Sequence, residues 1–286
     1  MTSTYTYTST TSPSARVIAD SIEPFGKYRL TTMEVVMPRM VLAEFNTHRK
    51  FSRSSASSRA IPTAKQLRRV LDDPFMPLEW GSNQPGMQAG DQVDEDAQRR
   101  ARLSWLHARD KAVEAAQALE KIGVHKQITN RLIEPFMWHT VIVSSTEWDN
   151  FFSQRCSPLA QPEIRITAEA MLEALNGSTP TMLTHGEWHV PYIQDDELYL
   201  PWKDQVMLST ARCARVSYLN HEGKRDLDAD ISLYKRLVTA DPPHASPLEH
   251  VARPALSWEP VPGNFDGFKQ LRHDLAMQQA VNDERI

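Results

Sequence analysis

The chain has 286 residues, 41% of them hydrophobic and 24% charged, with ten Gly, nineteen Pro and two Cys. That composition excludes collagen, a coiled coil and a disordered chain, and it leaves enough apolar mass for a sizeable core. A net charge of −4 gives no overall attraction to a polyanion, which weighs against nucleic-acid coating or binding to an anionic membrane surface.

Residues 1–14 (MTSTYTYTSTTSPS) have neither a basic region nor an apolar core, so they read as a disordered tail and not a signal peptide. Residues 15–286 read as a single α+β domain, with no internal repeat and no linker dividing it. Tyr28 to Val36 is rich in aromatic and β-branched residues and predicts a strand. After Pro38, the run MVLAEF predicts the start of a helix. Residues 80–94 are rich in Gly, Asn, Pro and Asp and predict a loop.

From Glu95 to Ile122, Leu103, Leu106, Val113, Ala116, Leu119 and Ile122 recur at mostly helical spacing, and Gly123 closes the pattern. A short helix is expected over 125–133, ended by Pro135. His139 to Ser145 fits either a strand or a buried helical turn. Pro162 to Leu175 predicts a helix closed by Asn176-Gly177. A Pro- and Trp-rich connection, 178–204, leads to two more helices near 205–218 and 228–240. The sequence then turns strand-like (VARPALSW) and helix-like (FDGFKQLRHDL).

Two cysteines, Cys156 and Cys213, form no disulfide framework or four-thiolate zinc site, so a reducing, cytoplasmic setting is expected. No run approaches the roughly 18 apolar residues of a membrane span. His185 and His189 are four apart, but Pro180, Gly186 and Pro191 argue against a helix there, and no metal site is expected. Cys156 beside Arg155 reads as an inert small hydrophobe in preference to an activated thiolate.

Three clusters carry candidate chemistry. Thr47 to Pro62 (THRKFSRSSASSRAIP) mixes His48, Arg49, Arg53 and Arg59 with Ser52, Ser54, Ser55, Ser57 and Ser58, the cations and short hydroxyls that grip a phosphate. The same composition also describes a solvated Ser/Arg loop. EWDNFFSQRCSPLAQPEIR places Asn150 and Arg155 among Trp148, Phe151 and Phe152. ARCARVSY, followed by HASPLEH, supplies Arg215, Ser217, His244, Ser246, Glu249 and His250.

Together these clusters resemble the flavin-dependent thymidylate synthases, whose signature is RHRxxSxNExSxRY. Here THRKFSRSSASSRA keeps His48, Arg49, Ser52, Ser57 and Arg59. Asn150, Arg155 and AQPEI match a second family segment, and ARVSY with HASPLEH resembles the family's ARVSF and HxTPFEH. In the family the latter pair precedes the signature, whereas here it follows, so the chain resembles a circular permutant, with the family's α+β fold in permuted order.

The resemblance implies a homotetramer that binds FAD and dUMP at subunit interfaces. It assigns flavin contacts to His48, Arg49, Ser144, Thr146, Asn150, Ser217, His244, Ser246 and Glu249. It assigns the nucleotide to Ser57, Arg59 and Arg131, with Ser55 and Ser58 beside them, and gives Arg155 the catalytic role of stabilising charge on the uracil. The implied reaction is reductive methylation of dUMP to dTMP with methylenetetrahydrofolate, FAD and NADPH. The signature is altered: Thr47, Ser54-Ser55 and Ala60 replace its first Arg, its Asn-Glu pair and its Tyr, and Glu44 stands where a Gln is expected. FKQLRHD resembles the run leading into the signature, so Gln270, Arg272 or His273 are expected to refill the places at Glu44 and Thr47. A hydroxymethylating enzyme on the same scaffold and a non-catalytic flavin- or nucleotide-binding protein are the alternatives.

Overall fold

A computed structural model describes residues 10–216 and 225–276. The core is a five-stranded sheet in the order β3-β4-β2-β1-β5, built from β1 (Ser14–Ile22), β2 (Arg29–Pro38), β3 (Ser52–Ser55), β4 (Trp138–Ser145) and β5 (Thr181–Met182). All pairings are antiparallel except β1 with β5. The β1–β2 turn is held by the Glu23 carboxylate, which accepts from the main-chain N–H of Phe25, Lys27 and Tyr28.

Alternation along the strands sorts the two faces. Met33, Val35, Val141 and Val143 point into an apolar cluster with Phe45, Phe151, Ile164, Ala168 and Met171. Those residues come from α1 (Leu42–Phe45), α5 (Asp149–Arg155) and α6 (Pro162–Asn176), which cover that face. The opposite face carries Ile142 against Cys213 and Val216, of and just beyond α7 (Trp202–Arg215), and the polar pair Thr32 and Ser144. Beyond it lie α8 (Leu227–Val238), α9 (Ala245–Leu248) and a two-stranded sheet of β6 (Ala252–Pro254) and β7 (Phe268–Gln270). Helices α2 (Thr63–Asp72) and α3 (Glu95–Lys121) pack with residues 130–137 in a satellite cluster around Leu67, Val113 and Phe136.

The long helix forms as its pattern predicts: Asp94 caps it by accepting from Ala97 N–H, and Gly123, at φ 84°, ends it. His139 to Ser145 lies within strand β4. Elsewhere the structure corrects the sequence. MVLAEF makes only a 3-10 turn and one α turn. Residues 125–133 split into α4 (Lys126–Thr129) and a 3-10 segment, Asn130–Phe136, that runs through Pro135 instead of ending before it. FDGFKQLRHDL opens as strand β7, paired with β6, and is helical only over 271–276. Strand β1 begins at Ser14, inside the stretch read as tail, and Thr10 and Thr11 N–H groups bond Asp73.

The ARCAR run of α7 braces the fold. Arg212 forks onto Glu197 at 2.6 and 2.7 Å and reaches Asp230, which also takes Arg215. Arg212 and Asp230 are both buried, so Arg215 belongs to a structural network joining α7 to α8.

Candidate functional site

The signature strand β3 is the edge of the sheet next to β4, and its side chains alternate. Ser52 and Ser54 are buried toward the late segment of the chain, while Arg53 and Ser55 face the α5 side. Gln270 Nε2 donates to Ser52 Oγ at 2.8 Å and to the Glu249 carbonyl at 2.8 Å. Ser246 and His250 both reach Ser54. Pieces 200 residues apart in sequence thus meet on one strand.

At the N-terminal end of β3, Arg155 Nε donates to His48 Nε2 at 3.0 Å and Nη2 reaches Thr47 Oγ1 at 3.4 Å. His48 packs edge-on against Phe151, with centroids 4.8 Å apart. Burial, then the neighbouring Arg155 and Arg53, push the His48 pKa down, so its Nε2 is an acceptor for Arg155. Among the described residues Arg155 has no carboxylate partner. Arg49 is exposed and likewise without one. Glu44 Oε2 is buried and has no hydrogen-bond partner among the described residues. Guanidinium groups without a carboxylate partner, and an orphaned acceptor on the same stretch of chain, suit a ligand carrying both anionic and N–H groups.

At the other end of β3, Ser57 Oγ accepts from Arg59 N–H, and the Arg59 side chain is exposed. Ser58 donates to Glu134 at 2.7 Å, and Glu134 also takes Arg131 at 2.8 Å and Arg39 at 3.1 Å. Asn130 Nδ2 holds the Ser58 and Ile61 carbonyls. Glu134 escaped the sequence reading although it stands one turn after Arg131.

Two expected contacts, Ser144 and Ser58, are corrected, and the others take the following places. Ser144 is fully buried and bonded to Thr32 and His250, and Ser58 is 3% exposed with its proton on Glu134, so neither hydroxyl presents itself to a ligand. Gln270 is 2% exposed and ties β7 to β3, and Arg272 pairs with Glu249. Asn150 is exposed on α5, with Oδ1 accepting from Gln154. Thr146 Oγ1 accepts from Asp266 N–H at 2.9 Å. His244 and Ser246 are exposed on α9 and its cap, and Ser217 lies outside the described residues. Burial raises the pKa of Cys156, as for an inert thiol.

The polar face under β3 is one continuous chain. Ser246 Oγ donates to the Arg53 carbonyl at 3.0 Å, which uses its only proton. Ser54 must therefore donate to Ser246 at 2.6 Å, and His250 Nε2–H to Ser54 at 2.9 Å. Burial pushes His250 and His189 down to about 3, so both rings are neutral. His250 Nδ1 then accepts from Ser144 at 2.8 Å, Thr32 donates to Ser144 at 2.6 Å, His189 Nε2–H donates to Thr32 at 2.7 Å, and Ser21 donates to His189 Nδ1 at 2.9 Å. With both ring nitrogens engaged, His189 is not a free metal ligand. Ser246 is left with an acceptor lone pair only. Nitrogen-15 NMR at neutral pH is expected to show His189 and His250 as Nε2–H tautomers, and an Nδ1–H form of either would break this direction.

The sequence model of the family described as thymidylate synthase complementing protein matches residues 28–181. No curated protein matches. Among solved structures, a UMP/dUMP methylase, PolB, from Streptomyces cacaoi is similar in complexes with 5-Br dUMP and 5-Br UMP. The two are 15% and 16% identical, each covering 60% of this chain and 92% and 91% of theirs, with TM-scores of 0.44 and 0.47. Thymidylate Synthase X from Helicobacter pylori, with FAD and dUMP, is 19% identical over 51% of this chain and 67% of its own, with a TM-score of 0.35. The family match spans more than half of the chain and contains the signature strand, Arg155 and the segment between them, so the chain belongs to the thymidylate synthase complementing protein family, that of the flavin-dependent thymidylate synthases.

Proposed function

We propose that the protein transfers a one-carbon unit from methylenetetrahydrofolate to C5 of dUMP, giving dTMP, with FAD as cofactor and NADPH as reductant. The observation that carries this reading is Arg155, a guanidinium without a carboxylate partner among the described residues, oriented by His48 and Thr47 beside the signature strand. Uracil becomes nucleophilic at C5 when negative charge is delocalised onto O4 and N3, and a guanidinium fixed before the reaction stabilises that charge. Thr47 and His48 hold the Arg155 fork in place, while Ser57 and Arg59 offer the phosphate a main-chain turn and a free cation.

The exposed cation Arg49, without a carboxylate partner among the described residues, and the acceptor Ser246 fit FAD, whose diphosphate needs a cation and whose N–H and hydroxyl groups need acceptors. Arg49, Thr146, Asn150, His244, Ser246 and Glu249 are the residues proposed to hold it. FAD, when bound, supplies the redox capacity of the reaction.

Arg155 and Arg59 flank opposite ends of β3, whose four residues at ~3.3 Å each span about 13 Å. That separation supports a nucleotide site completed by a second copy, in a homotetramer. The convergence of Ser246, His250 and Gln270 on β3 supports the permuted order of segments.

Mass spectrometry of the product formed from dUMP, methylenetetrahydrofolate, FAD and NADPH tests the reading, with dTMP expected. Thr47 in the signature's first place favours a second reading, in which a hydroxymethyl nucleotide forms without consumption of NADPH. Bound flavin with no product at all would sink both.

A further inference from the structure

A separate cavity of about 360 Å³ opens where β2 ends and β4 begins, closed on one side by α2. Two polar side chains of α2 line it without partners. Gln66 is 1% exposed, yet its amide makes no hydrogen bond among the described residues. Arg69, one turn further on, is half-buried and makes no hydrogen bond or ion pair through its guanidinium among the described residues. Two carboxylates also line the cavity, and both are engaged: Asp73 accepts from the N–H groups of Thr10 and of Thr11, itself a lining residue, and Asp72 has a partner of its own. The remaining wall is mostly apolar, from Val36, Val70, Phe136, Met137 and Trp138.

A buried amide normally has a partner, because leaving it unsatisfied costs the desolvation of the group, and a half-buried cation bears part of the same cost. Here both front the same void. Burial lowers the Arg69 pKa, an effect that a bound anion offsets while the guanidinium stays charged. The volume exceeds what an inorganic ion fills and falls in the range of small organic ligands.

We propose that this cavity binds a small organic oxyanion, with its carboxylate or phosphate group on Arg69, the Gln66 amide N–H alongside, and its apolar body against Val36, Val70 and Phe136. A guanidinium fork matches either oxyanion, and the amide adds a third donor. The inference is independent of the proposed reaction.

Calorimetric titration of the full chain with benzoate and with phenyl phosphate tests it and separates the two sources of the anion. At least one is expected to bind with a Kd of about 1 mM or tighter. Arg69→Met is expected to weaken that binding at least tenfold and Gln66→Met to a smaller extent, while Arg59→Ala leaves it intact. Failure of both probes to bind overturns the proposal. So does binding that survives Arg69→Met or falls with Arg59→Ala, which would assign it to the signature loop. Should Arg69→Met not fold, Arg69→Lys retains the charge without the fork, and unchanged affinity in that variant equally overturns the proposal.

Discussion

Replacing Arg155 by alanine is expected to lower kcat by about 10²–10³-fold, the usual effect of removing one preorganised donor to a developing anion. Visible absorbance of bound flavin should persist, because Arg49, Ser246 and the α9 turn remain. The variant also removes the donor to His48 Nε2, so part of any loss comes from a reoriented ring. Arg155→Lys separates the two effects. It keeps a positive charge but has no fork to span His48 and Thr47, and is expected to recover only a small part of the rate. If Arg155→Ala turns dUMP over within threefold of the parent, the charge-stabilising role is wrong. If flavin binding is lost along with the rate, Arg155 belongs to the cofactor cradle.

The candidate site stood out in the sequence because its residues keep the spacing of a family signature: His48, Arg49 and Ser57 to Arg59 on one segment, Asn150 and Arg155 on another. What holds that site in place did not. Thr32, Ser144, Ser54 and Ser21 look like the polar half of solvated strands, and alternation alone assigns them to a wet face. They are buried because α7 and the late segment cover that face, and two histidines satisfy their hydroxyls. His189 in particular lies in the Pro- and Trp-rich connection, where the sequence predicts no metal site and does not show that its partners are hydroxyls on β1 and β2.

A similar limit explains β7. Phe268-Lys269-Gln270 precedes a helical LRHDL run and carries no β-branched residue, so local propensity points to helix. Pairing with β6 overrides it, and the resulting alternation sends Gln270 to Ser52 and Lys269 to Glu259 and Asp274. Helices α3 and α6 were readable because an amphipathic face repeats over many turns. Strand β1 and helix α2 are short or mixed in polarity, and only their packing defines them.

Acidification from pH 7 to pH 5 is expected to remove much of the protein's stability. His139, His189 and His250 are each held down to about 3 by burial, with Arg39 and then Arg69 adding to the effect at His139. A ring depressed in the folded state stabilises it above the unfolded pKa, near 6.5, and that stability drains away as pH falls, because only the unfolded chain takes up the proton. Each ring therefore costs about 1.4 kcal/mol per pH unit below 6.5, or about 2 kcal/mol by pH 5. Three together approach about 6 kcal/mol, comparable to the whole stability of many domains. Carboxylates contribute little in this window: Glu259, which Arg253 and Lys269 hold at about 2, gives up its share only nearer pH 4. Urea unfolding at the two pH values measures the loss directly. His250→Gln should be less stable at pH 7, since Ser144 loses its acceptor, and yet lose about 2 kcal/mol less than the parent between pH 7 and pH 5. Equal stability of the parent at both pH values would mean that these rings are protonated in the fold, and the directional hydrogen-bond chain beneath β3 would fall with that result.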